Sequence, residues 1–196
     1  MPSAPPSLVL ASASPRRSAI LAAAGIPFTV RTCPVEEARR PGELPKHYVL
    51  RLAEAKARAV RADRNEVILA ADTVVVVGAG EAAHIILEKP RDEQDACRML
   101  RLLSGRKHEV ITGICLLSNG KAILDTETTT VHFLPLSDAD IQGYVNTGEP
   151  ADKAGGYAIQ GRACRFIQRL EGCYFNVVGL PVSLVWQRLQ QLKQGG

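Results

Sequence analysis

Apolar positions along the chain fall into short runs separated by helical stripes, an alternation of strands and helices. Leu8 to Ala11 is a compact apolar run, read as a buried strand over 8–11. Ser12-Ala13-Ser14 turns the chain into Pro15-Arg16-Arg17 and an alanine- and leucine-rich segment. That segment predicts a helix over 15–24, with a proline in its first turn and Gly25 at its C-terminal cap. Phe28 to Thr32 alternates as a second strand, and Cys33 to Pro45, with Pro34, Pro41 and Gly42, is a loop.

Residues 46–62 form an amphipathic helix whose Val49, Leu52, Ala53 and Val60 share one face. Val67 to Ala71 is a strand that runs through Asp72-Thr73 into Val74 to Val77, and Gly78-Ala79-Gly80 turns the chain. A strand over 84–88 follows, then a helix capped by Asp92 with Ala96, Met99, Leu100 and Leu103 inward. Two long strands, 108–117 and 121–133, are joined at Asn119-Gly120, a hairpin signal. Ser137 with Asp140 makes a capping box for a helix ending at Gly148. Glu149 to Tyr157 is a constrained loop, Tyr157–Gln160 and Ala163–Leu170 are predicted strands, and Asn176 to Leu180 is an apolar link. The last helix starts at Pro181, with Val182, Val185, Leu189 and Leu192 inward. The hairpin over 110–133 is a candidate projecting lobe, with a cleft beside the sheet.

At 196 residues the chain suits a single domain, 1–196, with the proline-rich residues 1–7 outside the ordered part. A net charge of +4 is compatible with an anionic ligand and too small to argue for duplex nucleic acid. One Trp and few other aromatics leave no stacking platform for single strands. No run reaches the length of a membrane span, and Met1 to Ser7 lacks a signal pattern. The five cysteines are scattered, which points to free thiols in a reducing cytoplasm, and the four histidines are too far apart to suggest zinc.

Four features carry candidate chemistry. Free N–H groups at a helix start, its dipole, Arg16 and Arg17 converge where phosphate would be attracted; a capped helix with two solvated arginines is the plain alternative. Lys56 lies in the middle of an apolar stripe, so its stem snorkels at the rim of the core or its ammonium meets an anion. Asp72 lies inside an apolar run, a catalytic carboxylate or metal ligand at the carboxyl end of a strand, or else a structural hydrogen-bond acceptor. Glu36 and Glu37 stand side by side in the loop, where paired glutamates are usually solvated.

Several segments, in order, resemble the Maf family of nucleoside triphosphate pyrophosphatases. They are Ser12-Ala13-Ser14-Pro15-Arg16-Arg17, Ala71-Asp72-Thr73, Glu88-Lys89-Pro90-Arg91-Asp92, Leu103-Ser104-Gly105 with His108 and Thr112-Gly113, Glu149 through Gln160, and Asn176 through Pro181. The resemblance implies an α/β fold: a mixed twisted central sheet flanked by helices, with two lobes around a cleft, similar to inosine-triphosphate pyrophosphatases, in a homodimer. It implies hydrolysis between the α- and β-phosphates with a divalent metal cation, Mg²⁺ or Mn²⁺. The Asp152-Lys153-Ala154-Gly155 and Ile159-Gln160 signature resembles the subgroup acting on dTTP and UTP.

By the same resemblance Ser12, Arg16 and Arg17 grip the triphosphate, while Lys56 and Lys89 neutralise phosphate oxygens. Asp72 takes the catalytic acid position, with Glu37 helping to hold metal or water, and Thr73 and Gln160 match positions tied to substrate choice. Gly161-Arg162-Ala163-Cys164 departs from the pattern, where relatives more often keep a further glycine. A non-catalytic nucleotide-binding regulator of cell division is the alternative, against which the carboxylate pair speaks.

Overall fold

The computed structural model describes residues 7–63, 65–78 and 84–194, without the side chains of residues 193 and 194. Its central feature is a seven-stranded mixed sheet in the order β2-β1-β3-β5-β6-β7, with β4 paired to β3. The strands are β1 (Ser7–Leu10), β2 (Phe28–Val30), β3 (Glu66–Val77), β4 (Ile85–Leu87), β5 (Lys107–Ser118), β6 (Lys121–Phe133) and β7 (Ile167–Glu171). The helices are α1 (Pro15–Ala23), α2 (Pro45–Ala59), α3 (Glu93–Leu103), α4 (Asp138–Val145), α5 (Tyr174–Val178) and α6 (Val182–Gln194). The chain divides into two compact units. One holds residues 1–72, 112–127 and 179–196; the other holds 73–111 and 128–178. Residues 112–127 therefore belong with the N-terminal segment, and the hairpin is not a lobe of its own.

In the first unit β1 pairs in parallel with β2 and with β3, Leu8 facing Phe28 on one side and Val67 on the other. Parallel strands need a crossover, and α1 supplies it. The helix ends as its sequence requires. Gly25, at φ 65, donates to the carbonyl of Ala22, and Ile26 donates to that of Leu21. That pair of bonds is the Schellman arrangement, and its left-handed residue costs glycine little. Helix α2 packs through Ala53 and Ala57, with Val60 just beyond its end, against Val9, Ile68, Ala70, Cys115 and Leu117. Small residues on α2 allow close approach, and Gly113 of β5 completes it. A Cβ there would lie 2.6 Å from the carbonyl carbon of Val49.

In the second unit α3 and α4 pack on a core of Val75, Leu87, Leu100, Leu103, Val131 and Phe133. Asp92 caps α3 by accepting from the Asp95 N–H, and Ser137 with Asp140 forms the expected capping box. His108, Phe133, Tyr157 and Phe166 meet edge to face or tilted. His108 is buried beside the Tyr157 hydroxyl at 2.8 Å, and burial pushes its pKa down to about 3, so it is a neutral core histidine. Asn176, fully buried, donates to the carbonyl of Val110 and to Thr129 Oγ1, which ties α5 to β5 and β6.

The structure corrects four further expectations. Ser7 begins β1 and is not outside the fold, while residues 1–6 lie outside the described ones, as do Ala79 and Gly80. No residue of 157–160 is in a strand, a turn covers 159–161, and Arg162–Phe166 is a 3₁₀ turn, so the strand shrinks to Ile167–Glu171. The cause lies in the backbone donors: the Ala158 N–H goes to the Tyr144 hydroxyl and the Gly161 N–H to the Ala158 carbonyl, leaving no ladder to form. Tyr174–Val178 forms α5, so part of the apolar link expected over Asn176 to Leu180 is helical. Asp72 is the fourth case, taken up with the site.

Candidate active site

Asp72 lies in the interior of the twelve-residue β3, not at a strand's end. Its environment nevertheless changes there. The parallel pairing with β1 stops at Leu69, and the antiparallel pairing with β4 begins only at Val75. Asp72 thus occupies the stretch of β3 where β1 has ended and β4 has not begun, which opens one side of a central strand to a side-chain partner.

That partner is Lys56. From its place on the apolar face of α2, its ammonium donates to Asp72 Oδ1 at 2.6 Å and meets Glu37 Oε1 at 2.6 Å. The sequence left open whether this lysine snorkels or meets an anion; it meets two. Lys56 and Asp72 are largely buried, whereas Glu37 is half exposed at 51%. Burial holds the Asp72 carboxyl above the ordinary carboxylate range, and the Lys56 ammonium, its hydrogen bond and Arg17 pull the other way. Glu37 adds a further push upward, as a second negative charge nearby.

Ser12, just after β1, accepts from Arg17 Nη1 at 3.0 Å and from the Ser14 N–H at 3.3 Å. Arg17 Nε donates to the Gly179 carbonyl at 2.8 Å, so the guanidinium is held at the start of α1. Burial lowers its pKa while Asp72 raises it, Arg16 lowers it and Glu37 raises it, so both carboxylates are felt at Arg17. Pro15 takes the first helical position, and Ser14 makes no side-chain cap. Ser12, Arg16, Arg17, Glu37, Lys56 and Asp72 all belong to the first unit. Thr73, Lys89 and Gln160 belong to the second; Thr73 adjoins Asp72 in β3, and Lys89 and Gln160 are exposed.

A brace around Glu37 was not visible in the sequence. Tyr48 donates its hydroxyl to the Glu37 carbonyl at 2.7 Å, and Arg51 Nη2 donates to the Ala38 carbonyl at 3.0 Å. Arg51 also grips Glu43 through two bonds, at 2.6 and 2.7 Å, and the Arg40 N–H joins at 3.1 Å. The Arg51 guanidinium holds the Glu43 carboxyl down to about 2. The loop from residue 37 to residue 43 is therefore fastened to α2, the helix that carries Lys56. Helical spacing put Arg51 on a polar face, and nothing in the loop's composition named its partners.

Asp72 and Glu37 are hard oxygen donors that both reach one cation, the Lys56 ammonium. Among the described residues no third His, Cys, Asp or Glu joins them. Two carboxylates are the donor number with which Mg²⁺ is commonly held when substrate phosphates complete its shell, so the residues present fit such an ion.

The first unit of this mixed α/β fold thus brings the carboxylates of Asp72 and Glu37 to the Lys56 ammonium, with Arg16 and Arg17 at the start of α1. The chain belongs to the family described as Maf-like protein, whose model matches residues 7–192. A relative from Koribacter versatilis, named dTTP/UTP pyrophosphatase, is 50% identical over 94% of this chain and 93% of its own length. One of the same name from Anaeromyxobacter dehalogenans strain 2CP-C is 53% identical over 91% of this chain and 90% of its own. Among solved structures, the Staphylococcus aureus Ham1 protein aligns over 65% of this chain and 71% of its own, at 14% identity and a TM-score of 0.42.

Proposed function

We propose that the protein is a nucleoside triphosphate pyrophosphatase acting on dTTP and UTP, releasing the monophosphate and pyrophosphate. The observation that carries this is about 50% identity, over nearly the whole chain, to relatives named dTTP/UTP pyrophosphatase. The Asp72–Lys56–Glu37 cluster supports it, since a phosphate binder without turnover gains nothing from acids beside its anion.

In this reading Asp72 takes the proton of the water that attacks the α-phosphorus. Burial makes it a stronger base than a solvated carboxylate, while Lys56 and Arg17 favour its ionised form near neutrality. Ser12, Arg16 and Arg17 bind the triphosphate at the start of α1, and Lys56 and Lys89 offset charge as pyrophosphate leaves. Asp72 and Glu37 would hold Mg²⁺ or Mn²⁺; such an ion supplies charge neutralisation and lowers the pKa of water. Thr73 and Gln160 choose the base. The enzyme works as a homodimer in the cytoplasm. Among the described residues no helix is long and apolar enough to cross a membrane.

Pyrophosphate release from dTTP, UTP, CTP, ATP and GTP tests the reading. The expected order in kcat/KM is dTTP and UTP first, CTP weaker, and the purines last. A purine triphosphate at the top refutes the substrate assignment, and no release from any of the five refutes the activity.

A further inference from the structure

The turn that carries Gln160 is gripped at both shoulders by side chains outside it. Tyr144, fully buried on α4, accepts the Ala158 N–H at 3.1 Å and donates its hydroxyl to Glu149 Oε1 at 2.8 Å. Glu149 Oε2 accepts the Arg162 N–H at 3.0 Å. One hydroxyl and one carboxylate thus pin residues 158 and 162. Between them the Gly161 N–H closes a turn onto the Ala158 carbonyl at 3.0 Å. Gly161 leaves the space the carboxylate needs, because a Cβ there would lie 2.1 Å from Glu149 Oε1. At the tip, Gln160 is exposed, and its amide has no partner among the described residues.

A free amide on a pinned turn is suited to reading a ligand. Its backbone is fastened on either side of it, and its hydrogen-bonding capacity is unspent. An unrestrained glutamine amide can turn over, offering the donor–acceptor pair of uracil and thymine in one pose and that of cytosine in the other. Pinning the backbone does not stop the terminal amide from turning, but it fixes the distance and angle at which the amide meets a base and removes the adaptation a loose turn would allow. A site that leaves a mismatched base's polar groups unpaired rejects it strongly. We infer that Tyr144 and Glu149 are positioning residues that fix the Gln160 turn and set the preference of the enzyme for thymine and uracil over cytosine. This rests on the substrate reading above and deepens it.

The experiment compares kcat/KM for dTTP and dCTP in wild type, Tyr144→Phe, Glu149→Gln, Gln160→Ala and the double variant Tyr144→Phe/Gln160→Ala, with amide exchange at Ala158 and Arg162 measured alongside. Tyr144→Phe removes the shared hydroxyl. Glu149→Gln keeps the side chain's shape against Gly161 and leaves Tyr144 intact, so it serves if the first variant folds poorly. Either single variant should lower the dTTP-over-dCTP ratio about tenfold, a modest part of the discrimination that a site reading hydrogen bonds can reach. Exchange at Ala158 should quicken in Tyr144→Phe, and at Arg162 in Glu149→Gln. Adding Tyr144→Phe to Gln160→Ala should change the ratio little further. An equal fall for both nucleotides, with the ratio unmoved, makes the pair a support of the fold only and overturns the inference, as does unchanged exchange at both amides. A wild-type enzyme that releases no pyrophosphate from dTTP, or that ranks a purine triphosphate first in the five-nucleotide panel, would instead overturn the substrate reading. A wild type that turns over dTTP and dCTP equally would overturn this inference; both failures are visible before any variant is made.

Discussion

Lys56 is the residue where the structure alters the energetics most. Read from sequence alone, a methionine in its place would return an apolar group to an apolar stripe, weaken substrate binding and leave stability unchanged or higher. With its ammonium between Asp72 and Glu37, the same change leaves two carboxylates facing each other, one of them buried. Breaking such a pair costs roughly 3 kcal/mol, less here because Glu37 is half exposed. Lys56→Met should therefore lower the denaturation midpoint at neutral pH. The pH dependence has a definite sign. A folded carboxyl held above its unfolded value costs stability when ionised, and that cost fades as pH falls through the folded value and then the unfolded one. The variant's deficit should shrink in acid, and the acid limb of its kcat/KM profile should move to higher pH; a deficit constant with pH would show that Asp72 does not feel the lysine. Asp72→Asn should reduce turnover by about 10²–10⁴ while keeping the fold. More than about a tenth of wild-type activity in that variant would remove Asp72 from the chemistry.

Helix α2 joins several of these functions, carrying Lys56 inward, Tyr48 and Arg51 toward the Glu37 loop, and Val49 against β5. Its distance from the sheet is set at Gly113. Gly113→Ala would force a methyl into the Val49 backbone, which has no rotamer with which to yield. Overpacking of this kind costs about 1–3 kcal/mol, so urea unfolding should show the loss, with lower activity through displaced Lys56. Wild-type stability in that variant would mean that α2 stands further from β5 than the structure has it. What the sequence made legible at this scale follows from local rules. Caps at Asp92 and Ser137, the Asn119-Gly120 turn and the stripe of α2 each depend on near neighbours. The 157–166 stretch misled for the same reason. Its apolar Tyr157 and Phe166 look like strand residues, yet they reach the core from turns held by Tyr144 and Glu149, partners no alternation can announce.

Across the whole molecule, the boundary between the two compact units falls between Asp72 and Thr73, inside one strand. Motif order identified the family, because the segments that carry it are spread from Ser12 to Pro181 and their joint spacing is hard to meet by chance. Residue pairings were beyond it. That Lys56 faces a carboxylate sixteen positions later, or that Arg17 is fastened to a carbonyl at 179, follows only from the path of the chain. A homodimer is the expected assembly, and a mass in solution of one chain, near 21.1 kDa, would refute it.

One consequence of the lysine between the carboxylates concerns handling the protein. Proteins whose acidic ligands lack any internal counter-charge tend to loosen when their ion is stripped, since binding and folding are then one process. Here a side chain of the fold already lends a counter-charge to both Asp72 and Glu37. Dialysis against a chelator should therefore abolish catalysis yet leave the melting temperature within about a degree or two, and activity should return on adding Mg²⁺ without a refolding step. A large drop in melting temperature would show that the ion, and not Lys56, keeps these acids together.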